Sequence, residues 1–275
     1  MWLHNEETGE WLAALNTGDG SFRLGPSAWA PRGRVRLGDF NGDGIDDVFV
    51  VDAETNLGFQ CLTTAKNGVA CRAGDAVAPG SVLVPDFTGD GLADVFTYDA
   101  STGHWTLGVN NGAGTFGYVS GDWALGSMVR AAHLDGDRRR DLVLIDPASG
   151  AWVEAFSVRP GEFTYRHGQG PVGADVRLLD VDRDGRDDVL HYNITTGEWT
   201  IGLNVAPGEF SYSSGVWAPG LTLAWGDVNG DGRADLILHD PATGRWGSLV
   251  SRRPSGVTAQ SGTWSVGWAM QGWRP

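Results

Sequence analysis

Apolar residues in this chain come in short runs broken by Gly, Asp, Asn and Pro, and the runs return with a period of 47 residues. The clearest series is VFVV at 48, VFTY at 95, LVLI at 142, VLHY at 189 and LILH at 236. Each is apolar on successive positions, as expected of a strand covered on both faces. Around each run lie three further strand-like segments. In the repeat best defined by its punctuation these are Val176 to Leu179, Asp188 to Tyr192, Glu198 to Leu203 and Glu209 to Trp217. Their Val, Phe, Tyr, Trp and Leu content suits a pleated, half-buried surface. Helical 3.6 periodicity is absent throughout. The pattern therefore predicts an all-β chain of four-stranded repeats.

Two kinds of turn punctuate each repeat. One carries Thr or Ser, then Gly, one variable residue and Trp, at Trp11, Trp105, Trp152, Trp199 and Trp246, and is preceded by Asn5, Asp99, Asp146, Asn193 and Asp240, residues suited to tight turns. The second repeat keeps Asp52 but has no Trp in this slot. The other is an acidic loop: DFNGDGIDD from Asp39, DFTGDGLAD from Asp86, DVDRDGRDD from Asp180 and DVNGDGRAD from Asp227. Alternate oxygen-bearing side chains with glycine at the sixth position are what a hard cation such as Ca2+ requires of a short loop. A second aromatic slot holds Trp29, Trp123, Trp217 and Trp264, with Ala76 and Gly170 in the remaining repeats.

A four-stranded unit of this length, repeated, is the propeller pattern. Six periods would take 282 residues against the 275 present. The ends account for the difference: Met1 to His4 align with Leu236 to His239, and Gly267 to Trp273 align with a strand that precedes an acidic loop. One domain spanning 1–275 is expected, a six-bladed β-propeller whose sixth blade is shared by 1–31 and 264–275.

Charge adds to this picture. The net charge of -14 argues against nucleic acid and against insertion into, or docking on, an anionic membrane. Of the 34 acidic residues, 18 are Asp in the five 47-spaced loops, and four bound Ca2+ would bring the balance to -6. The N-terminus has no basic segment followed by an apolar run, so the chain reads as a mature soluble domain. Cys61 and Cys71 flank TTAKNG and could bridge across a hairpin or remain buried thiols. A bridge and loops suited to millimolar Ca2+ would both favour a secreted, extracellular setting.

Acidic loops followed by an apolar strand, as at Asp39 to Phe49 and Asp227 to Ile237, resemble FG-GAP or VCBS repeats. These are found in integrin α-subunit propellers and in secreted propeller lectins. The resemblance implies Ca2+ ligands at Asp39, Asn41, Asp43, the Ile45 carbonyl and Asp47, and at Asp86, Thr88, Asp90, the Leu92 carbonyl and Asp94. It implies a further set at Asp180, Asp182, Asp184, the Arg186 carbonyl and Asp188, and a fourth at Asp227, Asn229, Asp231, the Arg233 carbonyl and Asp235. The loop from His133 to Asp141 departs from it. His133 replaces the first Asp and Arg138 the glycine, so this loop is expected to bind no Ca2+ and to pair Arg138 or Arg140 with Asp135, Asp137 or Asp141.

Trp29, Trp123, Trp217 and Trp264 are candidate carbohydrate-binding residues, because sugar CH groups stack on indole; packing between blades is the competing reading. Trp29, Trp123 and Trp217 are 94 apart, as are Asn16, Asn110 and Asn204, which suggests sites repeated for multivalent binding. Neither G-x-S-x-G nor H-E-x-x-H nor a phosphate loop occurs, and no catalytic residue is assigned. The expected function is thus a non-enzymatic, Ca2+-stabilised lectin for a glycan or cell-surface glycoconjugate. A protein-binding adhesion module is the alternative, and a polysaccharide hydrolase or lyase comes third.

Overall fold

The computed structural model describes residues 2–4, 10–16, 22–29, 33–52, 54–63, 69–207, 209–226, 235–251 and 257–263. All regular elements among them are strands. β1 (Trp2–His4), β2 (Glu10–Asn16) and β3 (Phe22–Trp29) form a three-stranded sheet in that order. The next repeat supplies β4 (Gly33–Gly38), β5 (Asp47–Asp52), β6 (Leu57–Thr63) and β7 (Val69–Ala76). Then come β8 (Ser81–Leu83), β9 (Val95–Tyr98), β10 (His104–Asn110) and β11 (Phe116–Asp122). β12 (Met128–Ala132), β13 (Asp141–Ile145), β14 (Ala151–Arg159) and β15 (Glu162–Gln169) follow. β16 (Asp175–Leu179), β17 (Asp188–Tyr192), β18 (Glu198–Ala206) and β19 (Glu209–Val216) make the next set. β20 (Thr222–Gly226), β21 (Asp235–His239), β22 (Arg245–Ser251) and β23 (Val257–Thr263) make the last.

Each of these five sets is a four-stranded sheet with its strands in chain order. Consecutive strands therefore pair antiparallel, so in the sheets β8–β11, β12–β15 and β16–β19 the acidic-type loop and the Trp-bearing turn lie at opposite ends of the second strand. The strand that would close a shared sixth blade falls in 264–275, outside the described residues. Two compact units divide the chain: Met1–Ala131 with Arg138–Arg140 and Ser157–Thr164, and Ala132–Asp137 with Asp141–Phe156 and Tyr165–Pro275.

Burial grades across each sheet as the sequence pattern implies. The second strands β5, β9, β13 and β17 are buried almost throughout, whereas the fourth strands β11, β15 and β19 are largely exposed. In the first unit the core joins Phe40, Phe49, Val51, Val82, Ala93 and Val95, with Val77 and Phe116 packed against it. Phe40 belongs to the acidic loop itself. The residue after the first loop Asp is thus a core plug, a role repeated by the fully buried Phe87 and, in the second unit, Leu134.

The Trp-Gly turns close in the same way each time. Gly103 N-H donates to the Asp99 carbonyl at 2.7 Å, Gly150 to Asp146 at 2.7 Å and Gly197 to Asn193 at 2.8 Å. Asp99, Asp146 and Asp240 accept side-chain and backbone bonds within these turns, which hold their carboxyls below the usual range. Gly103 and Gly197 have φ of 78° and 77°, and a side chain on either would collide with the carbonyl of Trp123 or Trp217. Beyond the turn, Trp105, Trp199 and Trp246 sit directly across from Gly121, Gly215 and Gly262 in the fourth strand. Each indole lies flat on its glycine, where a Cβ would clash with the ring. Trp152 lies on Gly168 likewise.

Cys61 and Cys71 are cross-strand partners in β6 and β7 and are disulfide-bonded. Of the two readings left open by their spacing, the bridge is the one realised.

Candidate metal loops and functional site

Three of the four Ca2+-type loops lie within the described residues. In the first, both Asp39 carboxylate oxygens accept from loop amides: Oδ1 from Gly42 N-H at 2.7 Å and Oδ2 from Gly44 N-H at 2.8 Å. Asn41 Oδ1 accepts from Asp43 N-H at 2.8 Å and Asp43 Oδ1 from Ile45 N-H at 2.9 Å. The second loop copies this, with Asp86 accepting from Gly89 and Gly91, Thr88 from Asp90, and Asp90 from Leu92. In the loop from Asp180, that residue accepts from Asp184 N-H at 3.1 Å and Gly185 N-H at 3.0 Å. Gly44, Gly91 and Gly185 all have positive φ, the sharp turn that the motif demands.

The ninth loop residue behaves differently from the others. Asp47, Asp94 and Asp188 are fully buried, and each bridges two backbone donors. Asp94 accepts from Phe87 N-H and Asn110 N-H, both at 2.8 Å, and Asp188 from Val181 N-H and Asn204 N-H, both at 2.8 Å. Asp47 does the same with Phe40 N-H at 2.9 Å and Thr63 N-H at 2.7 Å. Burial pushes the carboxyls of Asp94 and Asp188 up to about 7 against these bonds, with neighbouring loop carboxylates adding to the rise. Asp47 is raised for the same leading reason. A buried carboxylate with acidic neighbours favours protonation or a cation, and a divalent ion supplies the charge without consuming a proton.

The loop from Asp180 brings three of its carboxylates together. Ligand oxygens of Asp180, Asp182 and Asp188 all lie within 4.8 Å of one another. Burial, then the charges of Asp184 and Asp180, raises the Asp182 carboxyl. This all-oxygen donor set fits a hard divalent cation. It is the one such cluster of His, Cys, Asp or Glu among the described residues. Asp184, a further expected ligand, forms an ion pair with Arg186. The guanidinium of Arg186 also donates to the Asn204 carbonyl at 3.1 Å through Nε, which anchors it beside the loop. Asp227, Asn229, Asp231 and Arg233 of the last loop lie outside the described residues, and Asp235 is buried like its counterparts.

The third loop differs from expectation in its backbone. Arg138 stands where the other loops place a left-handed glycine. Among the described residues, however, the non-glycine residues with positive φ are Asn56 at 55° and Arg183 at 62°. An L-residue avoids that region, so this loop turns at Gly136 alone, without the second left-handed turn at position six. Arg139 stands where Arg186 stands 47 residues on and makes the equivalent bond, Nε to the Ser157 carbonyl at 2.9 Å. Asp141 is as buried as the other ninth residues and accepts from Leu134 N-H at 2.9 Å.

Ties between successive loops were not anticipated. Ala93 N-H donates to the Asp39 carbonyl at 2.7 Å, Arg140 to Asp86 at 2.8 Å and Asp187 to His133 at 2.5 Å, always 54 residues apart. Asn110 Nδ2 reaches back 70 residues to the Phe40 carbonyl at 2.9 Å, and Asn204 Nδ2 to the Leu134 carbonyl at 2.7 Å. The 94-residue spacing of these asparagines, which suggests repeated binding sites in the sequence, marks these ties instead. Likewise, Asp141 keeps both its burial and its bond to the residue after the first loop position in the loop that has lost the first Asp and the glycine, which points to a role besides metal binding.

Trp123 and Trp217 are half-buried in aromatic clusters. Trp123 packs on Trp105 at 5.2 Å, Phe163 at 5.3 Å and Phe96 at 5.7 Å between ring centroids. Trp217 stacks on Trp199 at 4.9 Å and tilts against Tyr192 at 5.7 Å. Trp29 lies in β3, where side chains are outside the described set, and Trp264 is outside it altogether.

No family model matches the chain, and no curated protein matches it. Solved structures do. A protein from Lactobacillus plantarum superposes with a TM-score of 0.57 at 11% identity, covering 94% of this chain and 83% of that one. A “putative 6-phosphogluconolactonase” from Bacteroides fragilis gives 0.57 at 12% identity, covering 92% and 77%. Another so named, from Bacteroides uniformis, gives 0.55 at 15%, covering 95% and 81%. The shared feature is the fold.

These neighbours correct one expectation. The absence of catalytic motifs does not support the expectation of a non-enzyme, because proteins named as enzymes share its architecture. In a repeat fold the reacting groups come from different repeats, so no linear spacing reports them.

Proposed function

We propose that this chain is a Ca2+-stabilised six-bladed propeller of the FG-GAP or VCBS kind that acts outside the cell on carbohydrate. The observation that carries the Ca2+ part is the convergence of Asp180, Asp182 and Asp188 around a buried carboxyl raised to about 7. Loops from Asp39, Asp86 and Asp227 share that motif, for four ions in all, with the loop from His133 left empty. The ions act structurally: they neutralise carboxylates beside the plugs Phe40 and Phe87 and so hold the loops that tie one repeat to the next. The five four-stranded sheets and the three-stranded N-terminal sheet support six blades, with 264–275 supplying the missing strand. The Cys61–Cys71 bridge suits an oxidising compartment.

Carbohydrate is favoured as ligand by the half-buried indoles of Trp123 and Trp217 at the turn end of their sheets, and by neighbours named for a sugar-derived substrate. Binding and turnover are both open to this fold. Turnover gains support from Glu154, a buried carboxyl pushed up to about 7 by desolvation and therefore able to hold a proton near neutrality. A glycan array with and without EDTA, read alongside product analysis, tests the proposal. Binding that weakens in Trp217→Ala supports a carbohydrate module, and cleavage products lost in Glu154→Gln support turnover. Silence on the array with cell binding that survives glycan removal would redirect it to a protein partner.

A further inference from the structure

A cleft of about 270 Å3 opens in the first unit between β6–β7 and β10–β11, and no Trp lines it. Its size is slightly below that of drug-sized pockets, ~300–1,000 Å3, and suits one sugar ring. On its inner wall Gln60 is 2% exposed, and its Oε1 accepts from Arg72 Nε at 2.9 Å. Arginine only donates, so this contact orients the amide and leaves Gln60 Nε2 as a buried donor without a partner. The rest of the Arg72 guanidinium lies over Gly114, where any side chain would collide with it. Across the cleft Tyr118 donates its hydroxyl to Asp75 Oδ2 at 2.7 Å. Burial and this bond keep the phenol protonated, so Asp75 retains one oxygen to accept from a ligand. Phe116 supplies an apolar wall, held edge-on by Phe40 at 6.4 Å.

We propose that this cleft binds a single neutral pyranose unit. Arg72 and the orphan Gln60 amide donate to its hydroxyl oxygens, Asp75 accepts from a hydroxyl, and the ring's CH face lies against Phe116. Mixed donors and acceptors beside an aromatic wall select a polyhydroxylated ring over a purely apolar or purely ionic ligand. The arrangement belongs to this repeat. Ninety-four residues on, Arg166, Phe210 and Tyr212 recur, but Glu154 replaces the amide and brings a carboxyl in place of the free donor. The site is separate from the Trp-bearing turns and stands or falls without them.

The test is titration of the intact protein in saturating Ca2+ with methyl pyranosides of glucose, galactose, mannose and fucose, followed by calorimetry or ligand-observed NMR. At least one should bind saturably. Affinity should fall about tenfold or more in Gln60→Leu and Asp75→Asn, as expected when a site built to hydrogen-bond a hydroxyl loses its partner. Tyr118→Phe removes only the hydroxyl of a half-exposed ring and serves as the variant least able to disturb folding; it should weaken binding while leaving the melting temperature unchanged. The cleft is overturned if no pyranoside binds, or if Asp75→Asn and Tyr118→Phe bind as tightly as the parent. Loss of pyranoside binding in Trp217→Ala alone would overturn the cleft while sustaining the Trp turns.

Discussion

Asp182→Asn separates a metal role from a purely structural one, because the two predict opposite signs. Asp182 is solvent-exposed, and its side chain keeps an oxygen after the change. Its carboxyl converges with those of Asp180 and Asp188 within 4.8 Å and feels the charge of Asp184 as well. At that separation a like-charged pair in water-like surroundings costs about 1 kcal/mol, reduced further by salt. Without a cation, removing the charge should therefore stabilise the protein by about 1 kcal/mol, or about 2 °C in melting temperature for a chain of this size. With Ca2+ at 100 times its dissociation constant the site contributes about 2.7 kcal/mol, and a tenfold weaker site about 1.4 kcal/mol. The Ca2+-induced rise assigned to this site should thus be roughly halved in the variant. Calorimetric scans in EDTA and in excess Ca2+, for both proteins, read both quantities. A lower melting temperature in EDTA, or an undiminished Ca2+ increment, would refute the assignment of this loop as a cation site.

Three further outcomes follow from the geometry. Asn204→Ala removes the donors to the Leu134 and Asp187 carbonyls and should cost about 2–4 kcal/mol in EDTA and Ca2+ alike, measured by urea unfolding. His191 is 3% exposed, and burial depresses it to about 4. Between about pH 6.5 and 4 the unfolded chain binds a proton that the folded one refuses, so this contribution is full above about 6.5 and lost as pH falls. About 2 kcal/mol should vanish between pH 7 and 5, and His191→Gln, compared with the parent in the same EDTA buffer, should flatten that slope by this amount. Gly215→Val places a branched side chain against the indole of Trp199 and should cost about 1–3 kcal/mol, with a changed near-UV circular dichroism spectrum.

The ninth loop Asp shows how one residue can serve two purposes. Its hydrogen bonds to the residue after the first loop position and to the third strand do not depend on metal, and Asp141 keeps the first of them where the glycine and the first Asp are missing. Replacing such an Asp would damage the fold as well as any metal site. Asp182, lacking that anchoring role, is the cleaner probe.

The 47-residue period, the strand positions, the acidic loops and the Cys61–Cys71 hairpin were all legible in the chain, because each depends on residues close in sequence. Alternation, β-branching and positive-φ glycines act over a few positions, and strands such as Asp188–Tyr192 and Glu209–Val216 lie where the pattern put them, to within a residue at the ends. Function-bearing details required the sheets to be stacked. Burial of Asp94 and Asp188, the reach of Asn110 to the Phe40 carbonyl and the cleft around Gln60 all depend on groups that meet across tens of residues. Desolvation is a property of the packed surroundings. A carboxylate therefore reads alike in sequence at Asp182 and Asp188, and only the tertiary structure sets one in solvent and the other in the core.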